Sequence, residues 1–385
     1  MPLFQEAHNF AINGGNFVDN SGHGLGPLIY LQQFAASGAA HDSKERWPPP
    51  KCHPKTRKLA TSHLLDRAKQ RRAERLSSVL WLFAPAGMGK TAIAQTVAEL
   101  CEEEELLAAT FFFHRGDPQR NCTTRLVASI AFQLASSIAE IKPLIEEAVR
   151  TNPAVLDKAL HIQLKKLIIE PMEKIAQHLT TDRIIIIDGL DECIGLKSEG
   201  ADLEAEQHLV LQLIDTLQSL PLPLFVIILS RPEAWIIESF DSLPTLSSST
   251  ERFDLLENAA MDEDIITYFR SEFARIQKAP NHREEFATRA DPWPSNNVVF
   301  ALTWRAAGQF IYAATVVRYV EDPWDSPTAR LRTILSPNLP ADHNPLQSLD
   351  NLYLQILEQC RNHATTLEVL GYLMAFDGSL TFRPD

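Results

Sequence analysis

Positive charge is what this 385-residue chain has too little of. Its 36 Lys and Arg stand against 49 Asp and Glu, for a net charge of -13. A deficit of that size excludes a broad nucleic-acid or anionic-membrane surface, while leaving room for a local basic patch. Cysteine is scarce as well. Cys52, Cys101, Cys122, Cys193 and Cys360 are odd in number and widely spaced. They form no metal-ligand cluster and point to a reducing compartment. Glycine, at 15, is outnumbered by proline, at 24, and neither falls into a periodic or low-complexity tract. No long apolar run is present. The best candidate, Leu209 to Leu229, is interrupted by Asp215, Pro221 and Pro223, and it reads as a helix followed by a core strand. The first twenty residues lack the basic start and apolar stretch of a secretory signal. The expectation is a soluble, cytoplasmic protein.

What is present is the mixture of a globular chain, 45% hydrophobic and 22% charged. At roughly 150 residues per domain its length allows two or three domains. Residues 1–50, rich in Gly, Asn and Ser before the WPPP run at Trp47 to Pro50, read as a poorly ordered segment. A linker helix is expected within 51–75, from about Thr56. Its basic residues Lys69, Arg71, Arg72 and Arg75 read as a solvated helix face rather than a phosphate contact.

From Ser78 the pattern changes. Short apolar runs at Val79 to Ala84, Ala108 to Phe113, Ile184 to Ile187 and Leu224 to Leu229, with a weaker one at Arg252 to Leu256, alternate with helical periodicities. The helices fall at Leu126 to Ala135, Ile141 to Arg150, Leu156 to His178 and Glu204 to Leu220. This predicts a three-layer, mostly parallel α/β domain over about 76–256. A helical region is expected over 257–335. One of its helices carries an apolar stripe at Ile265, Phe269, Phe273 and Ile276, and another runs over Asn297 to Tyr319. The remainder, 336–385, holds a helix over about Leu346 to Cys360 and then VLGYLMAF, the opening of a unit too short to finish.

The decisive segment is APAGMGKT, comprising Ala84, Pro85, Ala86, Gly87, Met88, Gly89, Lys90 and Thr91, between a predicted strand and a predicted helix. A phosphate cradle needs inward-facing backbone N–H groups, a helix N-terminus behind them and a Lys that reaches the β- and γ-phosphates. Gly87 and Gly89 permit close approach, Lys90 supplies charge, and Thr91 supplies a hydroxyl for Mg²⁺. The full motif begins with Gly where this chain has Ala84. Alanine is tolerated there if the backbone angle φ is negative. A second segment, IIIIDGLDEC, puts Asp188 at the end of a hydrophobic strand, the edge where parallel sheets present ligands. Asp188 is the natural Mg²⁺ partner of Thr91, through water. Asp191 and Glu192 are placed to polarise an attacking water. Arg231, after the next strand, would lie beside the γ-phosphate, with His114 and Arg115 as weaker candidates and His208 as helix surface.

These residues resemble the NACHT family of signal-transduction NTPases, within the AAA-like STAND group of P-loop proteins. The likeness is nearest to fungal, mushroom-type members with a nephrocystin-3-like N-terminal region. The landmarks are C-x-P-x-T-R at Cys52 to Arg57, VLWLFAPAGMGKTAIAQTVAE, FFFHRGD, IIIIDGLDEC, ILSRPE and GQFIYAATVVRYVED at Gly308 to Asp322, covering about residues 50–335.

The resemblance implies an α/β nucleotide-binding domain with a helical lid, then a winged-helix region and a repeat array. Gly87, Gly89, Lys90 and Thr91 would form the phosphate loop, Asp188 would hold Mg²⁺ through water, Asp191 and Glu192 would be the additional acidic pair, and Arg231 the sensor. The implied cofactors are ATP or ADP with Mg²⁺, GTP being the alternative nucleotide. The implied activity is a switch with slow hydrolysis that takes protein partners and self-associates according to nucleotide. The chain ends where the winged-helix region would begin and shows no repeats of 20–50 residues. It therefore reads as a short family member or an incomplete gene product. The competing readings are a non-hydrolysing, nucleotide-holding scaffold and another phosphate-loop class such as a kinase, for which no acceptor pocket can be named.

Overall fold

The computed structural model describes residues 26–71, 74–179, 181–195, 202–258, 260–287, 291–335, 345–358 and 363–376. Five strands form one sheet: β1 (Val79–Phe83), β2 (Leu107–Phe112), β3 (Arg183–Asp188), β4 (Leu224–Ser230) and β5 (Thr250–Asp254). Every pairing is parallel, in the order β2-β3-β4-β1-β5. The expected α/β class is therefore present, with β1, β3 and β4 adjacent at the centre.

The helices of this part are α1 (Pro27–Phe34), α2 (Lys58–Lys69), α3 (Lys90–Glu103), α4 (Leu126–Ser137), α5 (Lys142–Thr151), α6 (Leu160–Leu164), α7 (Glu170–Ile175), α8 (Leu203–Gln218), α9 (Ala234–Ser242), α10 (Pro244–Ser249) and α11 (Leu255–Asn258). They cover both sheet faces, which explains the unbroken run of isoleucines in β3. Ile185 and Ile187 join Val79, Trp81, Val226 and Ile228 under α4, α8 and α9. Ile184 and Ile186 join Leu80, Leu82, Phe112, Phe225 and Ile227 under α2 and α3. A strand that alternates sides can be apolar at every position only when both sides are dry.

Three expectations need correction. Residues 26–50 do not read as a loose leader. Leu31 and Ala39 are fully buried, and α1 packs on α4 and α5. The reason is that β2 is an edge strand, whose polar groups require cover. The Ala36 N–H donates to Ser129 Oγ at 2.8 Å and the His41 N–H to Thr110 Oγ1 at 2.9 Å. The Gln133 amide closes the same edge, accepting from Thr110 N at 2.9 Å and donating to Thr110 O at 2.8 Å. The helix expected over Leu156 to His178 is present but shorter, an unbroken run of α6, a wide π turn over Lys165–Ile169 and α7, with a separate 3-10 turn, Pro153–Asp157, ahead of it.

The third correction lies in the helical part, which comprises α12 (Met261–Lys278), α13 (Arg283–Phe286), α14 (Asn296–Ala306), α15 (Phe310–Val320) and α16 (Pro327–Leu335), followed by α17 (Pro345–Glu358) and α18 (His363–Phe376). The helix expected over Asn297 to Tyr319 breaks between α14 and α15. Ala307 and Gly308 both adopt positive φ, 46° and 80°, a left-handed stop that ends one helix and reorients the next. The stripe on α12 faces inward as expected, with Ile265, Phe269, Phe273 and Ile276 packed against Leu302, Tyr312 and Val316. The last residues of the expected 336–385 unit, and residues 1–25, lie outside the described residues. No helix among the described residues is long and apolar enough to cross a membrane.

Leu31→Ala tests whether the first helix belongs to the domain core. Truncating a fully buried leucine is expected to cost about 2–5 kcal/mol in urea unfolding followed by tryptophan fluorescence. An unchanged midpoint and slope would detach α1 from the core.

Candidate functional site

The glycine loop leaves the carboxyl end of β1 and enters α3. Ala84 is fully buried, and its N–H donates to Ser230 O at 3.3 Å, continuing the ladder to β4. Among the described residues the non-glycine positions with positive φ are Lys55, Arg57, Glu105 and Ala307. Ala84 is not one of them, so its methyl group imposes no backbone strain. The positions that do need glycine are Gly87 and Gly89, at φ 77° and 86°. A Cβ on Gly89 would meet nothing within 4 Å, so the requirement there is conformational, and open space faces the loop. The Lys90 ammonium folds back over the loop and donates to the carbonyls of Ala84 at 2.8 Å and Pro85 at 3.0 Å. Burial lowers its pKa, against the pull of Asp191 and Asp188.

Opposite Lys90, the sheet edge presents the carboxylates. Asp188 ends β3, in register with Phe112 on β2 and Leu229 on β4. It is only 2% exposed. The Thr91 hydroxyl lies near enough to favour its ionised form, and its Oδ1 has no hydrogen-bond partner. Burial pushes its pKa up to about 7, although the Thr91 hydroxyl and the nearby Arg46 charge oppose the rise. Gly189, at φ 71°, turns the chain so that Asp191 and Glu192 follow in a tight turn. Asp191 is bound to Arg231 twice, accepting the Arg231 N–H at 2.9 Å and pairing with its Nε at 3.0 Å. Glu192 accepts the Arg115 N–H at 3.1 Å.

These groups line a cavity of about 400 Å³. Its walls include the loop from Ala86 to Thr91, Asp188, Asp191, Glu192 and Arg231, so the residues expected from sequence converge on one space. Ala84 and Pro85 sit behind the wall and contribute their carbonyls to Lys90. His114 is exposed and accepts from the Gly116 N–H. Arg115 enters only through its backbone, and His208 bonds Ser239 on α9. Of the basic cluster, Lys69 pairs with Glu104, while Arg75 is buried against Asp182 and the Phe225 ring. It therefore departs from the solvated face expected for it.

Sequence reasoning missed two walls of this space and one charge near it, three contributions in all. The helical part closes the cavity with Tyr268, Phe310 and Ile311, and the segment Pro50 to Arg57 closes another side. The break at Gly308 was the signal for the first, since a helix restarted there aims its first turn at the loop. The third is Arg46, whose guanidinium lies 3.4 Å over the Phe112 ring and donates to Gln95 Oε1 at 2.8 Å. Gln95 stands one turn beyond Thr91 on α3, and from there the Arg46 charge favours the ionised form of Asp188. Nothing in the local sequence marks it.

A magnesium ion fits this donor set. Among the described residues no cluster of three or more His, Cys, Asp or Glu could hold a metal alone. One carboxylate with an orphaned oxygen and one hydroxyl, completed by water and phosphate oxygens, is what Mg²⁺ takes rather than a full protein cage.

Residues 61–231 match the family model described as Nephrocystin 3, N-terminal. The match spans the glycine loop, Asp188 and the acidic turn, and it ends at Arg231. No curated protein matches the chain. Among solved structures, the one titled "Structure of C. elegans PCH-2" aligns over 78% of this chain and 68% of its own, with 10% identity and a TM-score of 0.34. At that score the likeness carries no argument.

An acid whose pKa is higher folded than unfolded takes up a proton on folding. Its contribution is therefore most favourable below its ordinary value and is lost as pH rises through the folded one. For Asp188 that window runs from 3.8 to about 7. Asp188→Asn is expected to stabilise the ligand-free protein at about pH 8 and to flatten the fall in stability between about pH 5 and 8. Urea unfolding at both pH values reads it, and identical slopes in the two proteins would show that Asp188 stays ionised.

Proposed function

We propose that the chain is a nucleotide-binding regulatory protein of the NACHT kind, taking ATP or ADP with Mg²⁺ and hydrolysing the triphosphate slowly. The observation that carries this reading is the convergence of the Gly87–Thr91 loop, Lys90 and Asp188 on one cavity at the carboxyl edge of a parallel sheet. The family match over residues 61–231 supports it. The narrower kinship with fungal NACHT proteins rests on C-x-P-x-T-R at Cys52 to Arg57 and the order of the other landmarks. GTP is the alternative nucleotide. Protein partners and nucleotide-dependent self-association belong to the same proposal, as does a cytoplasmic location.

The geometry supports a division of roles. The start of α3 lines the cavity, where its N–H groups and the helix dipole would favour phosphate. Lys90 exchanges its two carbonyl partners for phosphate oxygens. That exchange is favourable because a buried ammonium gains more from an anion than from neutral carbonyls. Thr91 and Asp188 would hold Mg²⁺, which when bound neutralises charge across the phosphates. Glu192 orients water and accepts its proton as the water oxygen bonds to the γ-phosphorus and the bond to the β-phosphate oxygen breaks, leaving ADP and phosphate. Asp191 fixes Arg231 at the rim, from which the guanidinium reaches the terminal phosphate.

A second reading is favoured by one observation. With Asp191 held by Arg231 at 3.0 Å, two of the groups given a role are engaged with each other. That is the arrangement expected of a scaffold that retains nucleotide without turnover.

Lys90→Ala is expected to weaken ATP and ADP binding about ten- to a hundredfold in calorimetric titrations. Unchanged affinity would remove the loop assignment. Glu192→Gln separates the two readings. It abolishes sustained phosphate release if the protein is a hydrolase, whereas release absent already from the unaltered protein establishes the scaffold.

A further inference from the structure

The phosphate loop is gripped from outside the α/β domain, and one buried guanidinium makes most of the grip. Arg57 is 3% exposed. Its Nη2 donates to the Met88 carbonyl, in the middle of the loop, at 2.7 Å. Its Nη1 lies 2.6 Å from Met261 Sδ and 3.9 Å from Asp264 Oδ2, both on α12. The plane stands 4.5 Å from the centre of the Phe310 ring, the first residue of α15. The Arg57 backbone N–H also donates to Asp264 Oδ2 at 3.0 Å. One side chain therefore joins the phosphate loop, both lid helices and the segment before α2.

The backbone is set up for this. Arg57 has φ 56° and Lys55 has φ 74°, left-handed conformations that side-chain-bearing residues avoid unless their surroundings enforce them. Beside the guanidinium, the Ile311 N–H donates to the Gly87 carbonyl at 3.1 Å. Ile311 Cγ2 lies 2.5 Å from where a Cβ on Gly87 would stand. Thus two successive loop carbonyls, those of Gly87 and Met88, are held by groups that depend on the position of the helical part.

We propose that Arg57 is a positioning residue that makes the shape of the phosphate loop conditional on closure of the helical lid, and so sets how long a nucleoside diphosphate stays bound. The proposal rests on the nucleotide reading of the cavity. The lid cannot swing away on its own. Withdrawing α12 and α15 strips Arg57 of Asp264, Met261 and Phe310 together and admits water to the guanidinium, which then has no fixed place from which to hold the Met88 carbonyl. Either the lid stays, or Arg57 leaves with it and releases the loop. A ligand that opens the lid therefore loosens the diphosphate at a distance, through one side chain with two arrangements.

Two readouts on the full chain test this: amide hydrogen exchange at Ile311 in the nucleotide-free protein, and the release rate of a fluorescent ADP analogue. Arg57→Gln is expected to accelerate both about tenfold, the effect of losing one charge-assisted hydrogen bond. Asp264→Asn, which keeps the cation, accelerates both to a smaller extent. The double variant is no worse than Arg57→Gln, because the two residues act as one unit. Arg57→Lys restores folding if Arg57→Gln does not fold, and it leaves both rates raised because an ammonium cannot span Met88 and Asp264 together. Faster release with unchanged Ile311 exchange would make Arg57 a plain ligand contact and overturn the latch, as would additive effects in the double variant. If the unaltered protein binds no ADP, the nucleotide reading fails, and the exchange measurements alone decide whether Arg57 ties lid to loop.

Discussion

Asp188 sits at the end of a strand whose four preceding residues are isoleucines, and that strand carries a carboxylate into a place where charge is costly. The position follows from the sheet. A parallel strand covered on both faces has to be apolar throughout, so its first polar residue falls where the covering layers end. Three central strands end together there. The carbonyl edge of β1 supplies the glycine loop, β3 supplies the acid, and β4 supplies Ser230 and Arg231. The buried carboxylate is held within the fold by Thr91, by Lys90 across the cavity and by Arg46 behind it. A group with so few direct hydrogen bonds and so much surrounding positive charge is arranged for an occupant rather than for stability.

Arg46 and Arg57 extend that dependence to parts of the chain that look peripheral. Both come from the segment before α2, and both reach inward past the sheet edge. Arg46 can do so because Ala36 is bound to α4 and His41 to β2, which brings the following turn over Phe112. Arg57 can do so only because its own backbone takes a left-handed conformation. The chain ahead of the α/β domain is thus part of the site's wall. A domain boundary drawn before β1 would cut through the machinery it was meant to delimit.

The loop and the carboxylates were legible because their signals are local. GMGKT between an apolar run and a helical periodicity, and IIIIDG with its acidic turn, each state a conformation and a position within a dozen residues. What escaped was non-local. The glycines and asparagines of the first fifty residues obscured α1, whose only strong apolar anchor in the core is Leu31. Arg57 belonged to a legible motif, yet its partners Met88, Asp264 and Phe310 are separated from it by 31 to more than 200 positions. The break at Ala307 and Gly308 was visible as a lone glycine, but a helix tolerates one at a modest cost. The tertiary reason is out of sequence reach: a Cβ on Gly308 would stand 3.1 Å from the Met261 methyl and 3.3 Å from that of Met88 in the loop.

The Asp191–Arg231 pair bears on whether the cavity can do chemistry, and its two halves are not equivalent. Asp191 is buried and also accepts a backbone N–H from Arg231, whereas the Arg231 side chain is 43% exposed. Breaking the pair leaves the buried Asp191 carboxylate with the Arg231 backbone N–H alone, a cost that has to be offset elsewhere. A bidentate phosphate contact is the kind of interaction by which an exposed arginine side chain offsets it. On the proposed nucleotide reading Arg231 is the member that moves, Asp191 is the pivot bonded to its backbone, and Glu192 is the carboxylate left for water. If the chain hydrolyses nucleotide as proposed, the pair marks the resting position of Arg231, and turnover depends on whether bound phosphate reaches far enough along the cavity to draw Arg231 off its pivot.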